Sequence, residues 1–421
     1  MNKSFKLGAA GVLAAGAVVF VSSFGTIAAN ADPSGSYTYV AVGSDTIQDL
    51  YNSFSAQSIG SWNATIPGQN GDAGLGSTIV PVNGQNPTNT AAIGRPNGSG
   101  DGRKALSAAW NPSNHTWSQT VTKTTGATTT TYTVPTDSID IGRSSGKPAT
   151  LVAAGASNDN LTSVPLARDA VAVATDGFSF NFTEPELQAI YGAPNTTASP
   201  TSASGTYTQV SGKFTVGDIT HTGTEPVLVT GVNAAGTAAT STVQLNVLLP
   251  QASSGTRQFF QNALGNTANT TATWVNANNE ENHADALTAT GDIIPFSAAQ
   301  FISQYNGVVT DTGVKASTFN LDSIGGNAPV TISGSTATPG ALFGSVSTVP
   351  NGAVGTFNRD VYSVVPTQVI TPTGTPTTYD TAIKTLVTST LPNLSNITNY
   401  GFEKLSYSGT STDWLHSPFE N

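Results

Sequence analysis

The sequence predicts an α/β protein with open sheets. Short apolar strand runs alternate with helix-period stripes, and several of those strands feed a small polar loop that opens a helix. No cysteine is present, so an exported chain of this kind has to be held by a packed core and not by disulfides.

Export is expected from the first residues. Lys3 and Lys6 precede an apolar run from Leu7 to Val21, and Ala29-Asn30-Ala31 offers a small-x-small cleavage site before Asp32. Basic start, short apolar stretch and small-residue site together describe a secretory leader, too short to serve as a span. The same reading excludes residues 1–31 from the fold, finds no lipoprotein cysteine and no second membrane span, and expects a released, extracellular chain. Removing Lys3 and Lys6 from 15 basic residues leaves 13 against 25 acidic ones, a net charge of −12. That balance argues against nonspecific binding to nucleic acid or an anionic membrane. About 390 residues remain, room for two domains or two lobes. With 38% hydrophobic residues in patterned runs, they can bury a core.

The elements follow in order. SYTYVAV (Ser36–Val42) is β-rich, and Ile47, Leu50, Tyr51 and Phe54 then fall on one helix face. Thr-rich VTKTTGATTTTYTVP (Val121–Pro135) reads as an exposed hairpin, DSIDIG (Asp137–Gly142) as a short strand, and SVPLARDAVAVAT (Ser163–Thr175) as a long buried one. In FTEPELQAIYG, Thr183 is the N-cap, Pro185 lies in the first turn, Glu186 completes a capping box and Gly192 stops the helix. VQLNVLLP feeds SSGTRQFF. GDIIPFSAAQFIS (Gly291–Ser303) is again strand then helix, and FNRDVYSVVP (Phe357–Pro366) is a late strand. APNTTASPTSASG (Ala193–Gly205) and TPTGTPTTYD (Thr371–Asp380) read as loops. No repeat of fixed period is seen.

Three segments share a strand, a small polar loop and a helix: Gly43–Thr46, Asn97–Gly102 and Ser253–Thr256. A helix start leaves backbone N–H groups unpaired and favours negative charge, glycine allows close approach, and hydroxyls add donors. Such loops can cradle an oxyanion. Arg257, Arg143 or Arg103 can add a two-pronged contact. The same residue types are also ordinary N-caps. A fourth loop, IGRSSGKP (Ile141–Pro148), fits the nucleophile-elbow pattern of secreted serine hydrolases with Ser144 at its centre, although Pro148 suits the following helix poorly. The four histidines lie outside any recognisable motif. Glu280, Glu281, His283 and Asp285 cluster in NEENHADAL without a second group at metal-site spacing, and no metal or cofactor is expected.

Taken together, GSDTIQDLY, RPNGSGDGRKAL, DIGRSSGKP, VPLARDAVAV, FTEPELQAIYG, LPQASSGTRQFF and DIIPFSAAQF resemble, in that order, the phosphate-binding-protein-like family of ABC-transporter substrate-binding proteins. The resemblance spans roughly Tyr37 to Val308. It implies a two-lobed type II periplasmic-binding-protein fold, each lobe an open mixed β-sheet flanked by helices, with β-rich loop insertions. The lobes would comprise residues 32–166 plus 294–421 and residues 167–293. It further implies a non-enzymatic, monomeric carrier that takes inorganic phosphate or a similar oxyanion in the interlobe cleft and hands it to an ABC permease. Carried over motif by motif, the ligand residues are Ser44, Asp45 and Thr46, then Ser99 and Gly100, then Ser254, Gly255 and Thr256. Arg143, Ser144, Ser145 and Arg257 complete the candidate set.

Two departures stand out. The family commonly has an aspartate where this chain has Ser145, and often an arginine where it has Pro250. Asp45 or Asp101 is the candidate replacement for the carboxylate, and Arg257 or Arg143 for the cation. Two other readings stay open: a secreted or surface-associated structural or interaction protein reusing the fold, and a secreted serine hydrolase.

Overall fold

The computed structural model describes residues 32–33, 37–64, 76–123, 126–177, 179–192, 206–209, 212–220, 227–233, 238–265, 275–371 and 380–420. The expected leader, the loop at 193–205 and nearly all of 371–380 lie outside the described residues.

The observed architecture is α/β, with one long strand joining two sheet regions. In chain order, β1 (Tyr39–Gly43) leads into α1 (Gln48–Asn52) and β2 (Ile59–Ser61); α2 (Ser99–Trp110) precedes the hairpin β3 (Thr116–Lys123) and β4 (Gly126–Thr133). Strand β5 (Ile141–Ser144) follows, then the 16-residue β6 (Leu161–Asp176) and helix α3 (Glu184–Tyr191). Next come β7 (Ala238–Pro250), α4 (Gly255–Ala263), β8 (Val275–Asn279), β9 (Asp292–Ser297) and α5 (Ala298–Tyr305). Strands β10 (Phe319–Ile324) and β11 (Asn358–Pro366) complete the frame.

Strand β6 belongs to both halves. Its first ten residues pair antiparallel with β11, which pairs antiparallel with β5; β5 and β1, and β1 and β2, are parallel. Its later residues pair antiparallel with β9 and β10, and β9 runs parallel to β7, which runs parallel to β8. Beyond β7, strands Thr206–Gln209, Gly212–Thr220 and Val227–Asn233 extend the sheet as an antiparallel meander.

Burial explains why these strands read as continuous apolar runs. In β1, Ala41 packs with Ile47, Leu50, Tyr51 and Phe54 on one face, while Val40 and Val42 pack with Ala105, Leu106 and Trp117 on the other. A sheet covered on both faces has no polar side to alternate. The second half has its own core, where Val171 and Val173 of β6 meet Leu187, Tyr191, Leu249, Phe260 and Phe296. Phe319, Leu342 and Phe343, from the chain after α5, join that same core. These two separate interiors are the two lobes.

Local expectations hold at the helices. Thr183 and Glu186 form the capping box, with Gly192 at the C-terminal end of α3. The hairpin also forms, starting at Thr116 and so a few residues earlier than its threonine run indicates, because Trp117 is buried and packs on Tyr132 at 5.9 Å. Its outer face is a ladder of hydroxyl pairs, Ser118–Thr131 and Thr120–Thr129, each at 2.8 Å.

Candidate ligand site between the lobes

Three serines from three different loops of the first lobe meet. Ser44 Oγ donates to Ser145 Oγ at 3.0 Å, and Ser145 N donates to Ser99 Oγ at 2.9 Å. The loops approach this closely because Gly43 and Gly98 take φ of 113° and 102°, a left-handed region open to glycine. From the second lobe, the start of α4 enters between them. A side chain on Gly255 would overlap both Ser99 Oγ and Ser145 Oγ, so only glycine lets the helix come this near. Gly100 N, at the start of α2, donates to Ser253 O at 3.2 Å and ties the two helix starts together.

A second group of atoms adjoins the first. Thr46 Oγ1 and Thr256 Oγ1, one from each lobe, lie 3.3 Å apart and both donate to Glu281 Oε1, at 2.6 and 2.5 Å. Arg359 Nη2 donates to Thr256 Oγ1 at 2.8 Å. The guanidinium is 2% exposed and stacks over Phe259, 5.6 Å from the ring centre. Asp169 holds it through Nε at 3.1 Å and Nη2 at 2.8 Å, and Asp169 in turn accepts from Ser297 Oγ and Ala299 N at the start of α5. Arg359 Nη1 is buried without a hydrogen-bond partner. Unused donors of this kind are costly, about 1–3 kcal/mol each and more for charged groups.

Two buried carboxyls near this cluster have pKa values raised above their ordinary range. Burial, then the neighbouring Glu281 and Glu280, pushes Asp45 well up, and its Oδ1 has no partner. Burial likewise raises Glu280 to about 7. Positive charge at the junction comes from Arg359, whose own charge Asp169 balances.

The remaining candidates are placed elsewhere. Arg143 is fully buried and all five of its N–H donors are used: Nε on Ser44 O, Nη1 on Ala41 O and Ser61 Oγ, and Nη2 on Gly43 O and Trp62 O. Burial lowers its pKa to about 10. It braces the β1 loop from behind. Arg257 turns to the sheet edge, where Nη1 donates to Pro250 O at 3.0 Å and Ala277 O at 2.9 Å. Pro250 is thus a carbonyl acceptor for the arginine of the next helix. Ser254 is an N-cap, accepting from Arg257 N at 3.0 Å. Ser144 Oγ donates to Gly146 O and accepts from Arg103 Nη1, 2.7 and 2.8 Å away, with no imidazole among its partners. Among the described residues there is no group of acidic and histidine side chains suited to a metal, and no helix long and apolar enough to cross a membrane.

Glu281, Asp169 and Arg359 are not among the ligand residues expected from the motifs. For Asp169 and Arg359 a signal is present all the same: charged residues stand in the middle of apolar strand runs, at ARDAV in β6 and NRDVY in β11. A charge inside a buried strand requires a partner.

Comparison with known proteins gives a coarse likeness only. No family model and no curated protein matches the chain. Among solved structures, it is similar to an ABC-type phosphate transport receptor from Vibrio cholerae, with 13% identity and a TM-score of 0.39 over 87% of this chain and 99% of that one. It is also similar to a phosphate-binding protein from Stenotrophomonas maltophilia, with 11% identity and a TM-score of 0.43 over 88% and 91% of the two chains. At such scores the likeness carries no argument about what this chain binds.

Proposed function

We propose that this chain is an exported solute-binding protein that closes its two lobes on a tetrahedral oxyanion, with inorganic phosphate as the leading ligand and no catalysis. One observation carries the reading. Arg359, buried at the lobe junction, has an N–H to spare beside hydroxyls from both lobes. An oxyanion accepts the hydrogen bonds that Ser44, Thr46, Ser99, Ser145 and Thr256 otherwise exchange with one another. It also takes the free donor of Arg359 and the backbone N–H groups at the start of α4.

The acidic side of the junction selects among oxyanions. Glu281, buried, accepting from two threonines through Oε1 and with Oε2 unpartnered, favours a ligand that brings its own proton. Monohydrogen phosphate has one to donate; sulfate has none and meets only repulsion. In this reading the lobes divide as residues 32–166 plus 294–421 against 167–293, with 319–357 packed back onto the second core. Ligand contacts from both lobes favour the closed state, and release outside the cell, with delivery to an ABC permease, completes the role.

Calorimetry on the chain from Asp32 tests it. Phosphate is expected to bind at least ~100-fold more tightly than sulfate, a difference of about 2.7 kcal/mol. Absence of phosphate binding overturns the ligand assignment, and equal binding of sulfate overturns the role given to Glu281.

A further inference from the structure

A second, separate cavity of about 290 Å³ lies between the lobes, on the other side of the loops that carry Ser99 and Ser254. The first lobe contributes Asn97, the opening turn of α2 and the inner side of β3; the second contributes the loop after β7 and the end of β8. Its wall toward the serine cluster consists of contacts across the lobes. Gln251 Nε2 donates to Asn97 Oδ1 at 2.7 Å, Gly100 N to Ser253 O at 3.2 Å, and Ser253 Oγ to Asn97 O. The cavity is therefore complete only when the lobes are together, and an anion in the serine cluster does not fill it.

Its chemistry differs from that of the anion cluster. Five primary amides line it, Asn97, Gln119, Gln251, Asn278 and Asn279, together with the carboxyls of Asp101 and Glu280, the latter shared with the acidic side of the anion cluster. Each amide offers both donor and acceptor capacity. Gln119 is only 3% exposed, and its Oε1, like that of Gln251, has no partner. The cations here offer little to an anion. Arg95 is bound by both oxygens of Asp32, at 2.7 and 2.5 Å, and Lys104 is close enough to Asp101 to hold down the carboxyl pKa that burial raises to about 6. Apolar lining is limited to small side chains such as Ala64, Val121 and Ala252.

We propose that this cavity binds a neutral polyhydroxylated molecule, a single sugar ring or cyclitol. A ring of hydroxyls is the ligand that can donate to the unpartnered Oε1 atoms of Gln119, Gln251 and Glu280 without bringing net charge. The volume sits at the lower limit of small-molecule sites, about 300–1,000 Å³, which suits one ring and excludes an oligosaccharide. The hairpin β3–β4 thereby gains a role as the outer wall of a binding site.

The test is saturation-transfer NMR and calorimetry on the full chain from Asp32, with D-glucose, D-galactose, D-mannose and myo-inositol as probes. At least one is expected to bind with a Kd of ~1 mM or tighter. Val121→Trp fills the cavity from β3 and Ala252→Trp from the exposed loop of the other lobe, neither side chain belonging to the anion cluster. Either folded variant is expected to weaken the sugar at least ~10-fold. Failure of all four probes, or undiminished binding in both variants, overturns the proposal. Phosphate is titrated in parallel. A chain that ignores phosphate yet binds a sugar loses the anion reading and keeps this one.

Discussion

Two arginine–aspartate pairs stand side by side on the ladder between β6 and β11, and they differ in what is left over. Arg168-Asp169 and Arg359-Asp360 run antiparallel in register, so Arg168 faces Asp360 and Arg359 faces Asp169. Neighbouring residues of a strand point to opposite faces, which puts one pair on each side of the sheet. The ion-pair distances are the same, 2.8 Å, and all four groups are buried. At the back, Arg168 is saturated: Nη1 donates to Phe343 O and Ser345 O, and Nη2 to Thr348 O and Tyr407 Oη. At the front, Arg359 reaches Thr256 and keeps Nη1 free. One sequence device, used twice, yields a clamp on a loop and a donor at a lobe junction. The difference lies in the surroundings and not in the pair.

Removing each arginine has opposite consequences. Arg168→Ala leaves Asp360 buried without its partner and frees the 343–348 segment, so chemical denaturation is expected to show a loss of about 3–5 kcal/mol. Phosphate affinity of the folded fraction should be unchanged. Arg359→Lys retains a charge for Asp169 but removes the planar fork that spans Asp169 and Thr256. Calorimetry is expected to record a ~100-fold loss of phosphate affinity, with a smaller loss of stability than Arg168→Ala because a charge remains beside Asp169. The reverse pattern, with stability lost at Arg359 and affinity at Arg168, ends the distinction between the two faces.

The same ladder marks the limit of what sequence reveals. The strand runs, the capping box at Thr183 and the helix starting after Ser254 are local, and local patterns sufficed to expect them. Ser44, Ser99 and Ser145 were also legible, because strand-to-helix loops rich in Gly and Ser converge at the same end of a sheet. The cation was not. Arg143 and Arg257 adjoin the serine motifs in sequence, but strand direction and loop path turn their donors onto backbone carbonyls. Arg359 meets Asp169 and Thr256 from 190 and 103 residues away, through a register that no neighbouring residue announces. Glu281 was visible only as part of a polar run, and its place between Thr46 and Thr256 depends on how the lobes meet.

Two buried carboxyls near the front junction have raised pKa values: Asp45, held far above its ordinary range, and Glu280, raised to about 7. A carboxyl whose folded pKa lies above its unfolded value stabilises the fold fully below the unfolded pKa. That contribution is lost as pH rises through the folded value. Asp140 and Asp322, buried and also raised to about 7, act in the same direction. The melting temperature is therefore expected to be highest near about pH 5 and to fall toward pH 8 or so. Glu280→Gln should flatten part of that slope, leaving the share of Asp140 and Asp322. A melting temperature that rises over this interval would contradict the protonated junction.

The smallest effect separates two hydroxyls two residues apart. Ser254 Oγ caps α4 by accepting from Arg257 N, whereas Thr256 Oγ1 connects Arg359, Glu281 and Thr46. Motif reading treats SSGT as one anion loop; the hydrogen bonds divide it into a structural serine and a junction threonine. Ser254→Ala should cost about 1 kcal/mol of stability, the usual worth of an N-cap, and leave phosphate affinity within about twofold. Thr256→Ala should do the opposite, lowering affinity ~10-fold or more, since it removes the hydroxyl that brings Arg359 and the two lobes to one point. Denaturation and calorimetry on the two single variants decide it. Equal loss of affinity in both would mean that the cap serine also reaches the ligand, and that α4 binds through its whole first turn.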